Sequence, residues 1–169
     1  YYLVLIMNNQ SALTFIEECE FDLERIEFII KALGSTNNAV PYLTKYSIIK
    51  VCGTLEQCFK TIISDFCTHN QSTQAVKFID ISFRESSINP NIQNIHKSLS
   101  KFDEDWNKEF KKQLKANVNK LRIQDSIKSL NNARNQFAHG GNPTVTFNDV
   151  KNYYVDAKII IEMLDGIIV

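Results

Sequence analysis

The sequence predicts an all-α protein: an up-down four-helix bundle with a helical insertion between its second and third core helices. Three observations predict it. Long segments repeat apolar residues at helical spacing. Glycine (5) and proline (3) are scarce, and most of them punctuate those segments rather than interrupt them. The links between the long segments at both ends of the chain are short, as antiparallel neighbours require. At 169 residues, with 44% apolar and 22% charged residues, the chain suits one soluble domain with a substantial core.

Ser11–Leu33 reads as the first core helix, with Leu23, Ile26, Ile30 and Leu33 on one stripe and Gly34 as the stop. Tyr42 to about His69 reads as the second, with a stripe of Ile48, Cys52, Leu55, Phe59, Ile62 and Phe66. Gly53 within it is expected to allow close helix packing. The insertion covers about 72–117. It holds a short helix from Ser72 to about Ser86, a helix start with Asn89 as cap and Pro90 in first position, and a charged helix capped by Asp103 and ending near Asn117. Trp106 and Phe110 are its expected anchor to the core. Asn119–Ala138 reads as the third core helix, ended by Gly140-Gly141 and Pro143. The fourth runs from a cap at Asn148 to about Leu164, entered through Val145 and Phe147.

The domain is assigned to 8–169. Residues 1–7 are set aside as a remnant, tag or linker: the apolar run is too short to span a bilayer and has neither the basic start nor the cleavage site of a signal peptide. No membrane association is expected. Cys19, Cys52, Cys58 and Cys67 form no Cys-x-x-Cys pair and have no histidine at ligand spacing. They read as reduced core residues of a cytoplasmic protein, and neither metal nor cofactor is expected. His69 and His96 read as surface residues.

The formal net charge is zero, so no overall field draws in nucleic acid. The distribution is uneven, however. Residues 17–27 carry six acids against Arg25, and residues 108–134 carry eight bases against Glu109 and Asp125. The basic stretch is either a solvated helix face or a contact for a phosphate backbone.

In the third core helix the stripe Ile123, Ile127, Leu130 continues into Arg134 and then Phe137. A guanidinium at an apolar position must be paired or line a cleft. Glu56, at helical spacing from Cys52, Phe59 and Ile63, is the expected partner; a purely structural ion pair is the plainer reading. His139 follows five residues after Arg134, which on a continuing helix places the two about 140° apart. The glycine pair is expected to let His139 leave the helical path and turn back towards Arg134. A simple helix cap is the alternative.

The string Ala133-Arg134-Asn135-Gln136-Phe137-Ala138-His139-Gly140 resembles the motif of the HEPN superfamily, an Arg and a polar residue followed at short spacing by a His, late in the penultimate core helix. The Leu55–Lys60 stretch resembles the acidic second core helix of several HEPN groups, the ribonuclease- and defence-associated ones above all. The resemblance covers the four core helices and not the insertion. It implies a metal-independent endoribonuclease acting as a homodimer, with no cofactor. Arg134 would hold the scissile phosphate, His139 would act as acid or base, Asn135 would orient them and Glu56 would support. Lys120, Arg122, Lys128 and Tyr153 are candidate RNA contacts. A toxin–antitoxin or antiviral defence setting follows from the same resemblance, with an antitoxin or regulatory protein as partner. The alternatives are an inactive HEPN-like dimerisation or nucleic-acid- or nucleotide-binding module, and an unrelated bundle with a chance motif.

Overall fold

The computed structural model describes residues 7–169. Of the stretch set aside at the start, residues 1–6 lie outside the described residues, whereas Met7 is buried in the core. Seven α-helices follow: α1 (Gln10–Leu33), α2 (Val40–Thr68), α3 (Thr73–Ile79), α4 (Ile92–Phe102), α5 (Glu104–Ala116), α6 (Lys120–Ala138) and α7 (Phe147–Ile167). A π-helical turn, Asp80–Arg84, extends α3. No helix among the described residues is long and apolar enough to cross a membrane.

Two helix starts differ from expectation, each for a local reason. The carbonyl of Asn89 accepts from Asn91 N–H and from the Asn94 amide, both at 2.8 Å. The chain therefore turns there, and α4 begins two residues later, capped by Asn91. α7 is capped by Thr146 instead of Asn148. Thr146 finds Asp149 three residues on and makes a reciprocal capping box with it, whereas Asn148 has Lys151 in that place.

Long-range contacts fix the helix directions. Cys58 Sγ lies 3.5 Å from Ala12 O, and Lys50 pairs with Asp22 at 2.9 Å, so α1 and α2 run in opposite senses. Lys151 pairs with Glu27 at 2.6 Å and Lys158 with Glu20, which opposes α7 to α1. Cys52 Sγ lies 3.8 Å from Leu130 O, and the Lys45 amine sits 5.7 Å from the Phe137 ring centre, which opposes α6 to α2. α1, α2, α6 and α7 are thus an up-down-up-down bundle. Three of the six acids of α1, Glu20, Asp22 and Glu27, tie that helix to its neighbours.

The insertion packs on the outer side of α2 and against α7. Phe83 and Trp106 meet Phe59 and Phe66 edge-on at 5.7 and 5.1 Å, Arg84 reaches Asp65 at 2.7 Å, and Phe110 is buried. His96, expected at the surface, instead joins α4 to α5: its Nδ1 lies 2.8 Å from Oδ1 of the buried Asn107. Gly53 is exposed, with nothing within 4 Å of where a Cβ would stand, so it mediates no close packing. No disulfide forms among the described cysteines; Cys19, Cys52 and Cys58 are buried and Cys67 is half-buried.

Candidate functional site

On α6 the side chains of Ile123, Ile127, Leu130 and Ala133 are buried, and Arg134 continues the stripe half-buried. Its Nη1 donates to Asn135 Oδ1 at 3.3 Å. Among the described residues no carboxylate lies in ion-pair range of it.

The pair with Glu56 expected from the sequence is not made. Glu56 Oε1 accepts from Lys60 Nζ and from Ile88 N–H, both at 3.1 Å. The antiparallel register explains this. Cys52 stands opposite Leu130; Glu56 lies one turn towards one end of the bundle and Arg134 one turn towards the other, roughly 11 Å apart along the axis. Lys60, a buried ammonium on the adjacent turn, takes the carboxylate. Burial pushes the Cys52 thiol up to about 12, with Arg134 pulling it down and Glu56 pushing it up.

The end of α6 is fixed by its glycines. Gly140 adopts φ +78°, and its N–H donates to Phe137 O at 3.0 Å. Gly141 N–H donates to Gln136 O at 2.8 Å, and a Cβ at Gly141 would stand 2.9 Å from that same oxygen. These two bonds make a Schellman cap. The reversal therefore falls one residue after His139, whose own N–H still donates to Asn135 O at 3.1 Å. His139 is the C-cap, with φ −95° and ψ 18°, and its place on the helix lies about 140° round from Arg134. It is exposed, and its imidazole has no hydrogen-bond partner among the described residues. Within one chain a hydrogen bond brings the Arg134 and Asn135 side chains together, and among the described residues none joins the His139 imidazole to either.

The four candidate RNA contacts separate. Arg122 is committed to Asp156 through Nε and Nη2, both at 2.9 Å, and Asp156 also accepts from Ser126 Oγ at 2.7 Å. Lys120 opens α6, roughly 28 Å from His139 along the axis. Tyr153 is half-buried against the core. Lys128 alone of the four is exposed on the motif half of the helix.

Sequence reasoning missed Tyr42, Lys45 and Asn142. The Lys45 amine donates to Asn142 Oδ1 at 2.6 Å and stands 5.6 and 5.7 Å from the ring centres of Tyr42 and Phe137. A cleft of about 620 Å³ opens beside it, between the α1–α2 and α6–α7 links. Only the α2–α6 register joins these residues, so no local spacing signalled them.

The sequence profile of the RiboL-PSP-HEPN family matches residues 17–169, from the second turn of α1 to the end of α7. The chain belongs to that family. No curated protein and no solved structure matched it. HEPN domains are commonly ribonucleases and often bind RNA and dimerise. In this HEPN domain the family match takes in α2, α6 and α7 whole, together with the insertion.

Proposed function

We propose that this HEPN domain is a metal-independent endoribonuclease whose site is completed by a second copy of the chain. The open charge of Arg134 carries the reading. A half-buried guanidinium ordinarily acquires an acid. Arg134 has a 3.3 Å bond to a neutral amide, while the nearby Glu56 is held by Lys60 and Ile88. Its planar fork is available to an anion from outside, and a phosphodiester fits it.

Because Arg134 and His139 diverge within one chain, a two-fold partner supplies the missing imidazole, and each copy serves the other. Tyr46 and Ile49 project exposed from α2 at the level of Arg134 and are suited to burial against that partner. In the reaction a neutral His139 takes the proton of the ribose 2′-OH. O2′ then attacks phosphorus, the P–O5′ bond breaks, and O5′ takes a proton from a water molecule, whose hydroxide is neutralised by the protonated His139. The products are a 2′,3′-cyclic phosphate and a 5′-hydroxyl. Arg134 holds the non-bridging oxygens as charge develops on them, and Asn135 holds Arg134. An unrestrained activity of this kind would harm its own cell, which supports a toxin–antitoxin or antiviral defence setting with a regulatory protein as partner.

Purified protein is expected to cleave RNA in excess EDTA, to leave cyclic-phosphate ends, and to spare DNA of the same sequence. His139→Ala is expected to slow cleavage by roughly 100-fold or more with an unchanged melting curve. Intact RNA after incubation with a folded, dimeric wild type would replace this reading with a binding or dimerisation module.

A further inference from the structure

Just past Arg134, α2 and α6 bring two exposed aromatic rings and one lysine together. Tyr42 is 73% exposed and Phe137 is 37% exposed. The Lys45 amine stands 5.6 and 5.7 Å from their ring centres, anchored by Asn142 of the α6–α7 link. The adjoining cleft has apolar walls that include Ile30, Val145 and Phe147, and a rim that includes Asn37, Asn38 and Asn148. Apolar walls with amides at the edge suit a flat heteroaromatic ring. Phe137 lies between Arg134 and His139 in the chain, so a group bound here adjoins whatever Arg134 holds.

We propose that Tyr42, Lys45 and Phe137 form a stacking subsite for one unpaired nucleobase next to the phosphate held by Arg134, which makes single-stranded RNA the substrate class. The position of that phosphate rests on the nuclease reading above; the stacking cluster does not. Duplex RNA keeps its base faces inside the stack, and only splayed, unpaired bases offer them to aromatic side chains. Lys45 lies where the backbone of such a nucleotide passes, and an ammonium next to stacked aromatics is the usual pairing for single strands. Lys45 also argues against an apolar protein partner at this spot. Covering its ammonium without a carboxylate is costly, and Lys45 is held by an amide.

The test is binding without cleavage, in the full chain carrying His139→Ala, read by fluorescence anisotropy with a short labelled RNA as a single strand and as a duplex. The single strand is expected to bind more tightly than the duplex. Tyr42→Ala should weaken single-strand binding roughly tenfold and Tyr42→Trp should preserve it. Lys45→Gln should reduce the slope of log affinity against log salt by about 0.7. Tyr42 is largely exposed, so folding is not at stake. Equal affinity for single strand and duplex, unchanged binding by Tyr42→Ala and Lys45→Gln, or loss of the dimer in Tyr42→Ala would each overturn the subsite. Wild type that leaves RNA uncut but shows Tyr42-dependent binding would remove the nuclease reading alone. Wild type that cuts RNA and cuts it as well after Tyr42→Ala would remove the subsite alone.

Discussion

Arg122 and Arg134 occupy the same helix, roughly three turns apart, and the structure treats them in opposite ways. Arg122 reaches across to α7 and satisfies Asp156, a carboxylate only 5% exposed that also holds Ser126. Arg134 is the more enclosed residue, since the Arg122 side chain is 59% exposed, yet among the described residues it has no acid. A charge spent on cohesion is neutralised inside the fold, and a charge kept for a ligand is left open where an anion can arrive. On the proposed nuclease reading, the first half of α6 serves stability and the second half serves chemistry.

The largest effect expected from this contrast is on catalysis. Arg134→Ala should lower RNA cleavage by roughly 100-fold or more and change urea stability by less than about 1 kcal/mol. Arg122→Ala should do the reverse, weakening the fold while leaving cleavage per folded molecule unchanged. If Arg122→Ala stops cleavage as completely as Arg134→Ala, the division of α6 is wrong.

Next in size is Asp156→Ala. It strands the Ser126 hydroxyl and should cost about 2 kcal/mol in equilibrium unfolding. Glu56→Gln weakens the hold on Lys60 and should cost about 1 kcal/mol with cleavage retained. A loss of cleavage as large as that of Arg134→Ala would instead restore the Arg134–Glu56 pair that the sequence suggested. The smallest effect belongs to the capping box of α7. Hydrogen bonds from Thr146 hold the Asp149 carboxyl below its ordinary value of 3.8. A depressed carboxyl contributes stability that is full above the unfolded value and is lost as pH falls through the folded one. The stability gap between wild type and Asp149→Asn should therefore stay constant near neutral pH and close only in acid below that value, in melts run across pH.

The four core helices were legible because each carries an apolar stripe, and two of them end in strong stops: Gly34 and Gly140 both adopt positive φ. In the insertion the Asp103 cap falls where its side chain indicates. The starts of α4 and α7 were misplaced because several Asn and Thr residues compete there, and the winner depends on the residue three positions on. Arg134 stood out as a charge in an apolar stripe. Its relation to Glu56 did not, since helical spacing gives the face a residue shares but not its height on the bundle. The Schellman cap likewise sets where the chain turns to within one residue, and that residue decides whether His139 turns back. Tyr42 and Lys45 meet Phe137 across more than ninety positions, which only the assembled α2–α6 pair reveals.

The most direct test of the account is subunit complementation. Arg134→Ala and His139→Ala are each expected to be inactive, but after mixing and exchange about half of the dimers carry one of each chain, and in those one of the two composite sites is whole. The mixture should recover about a quarter of wild-type cleavage. Recovery would show Arg134 of one copy working with His139 of the other; a mixture that exchanges subunits and stays inactive would contradict a shared site.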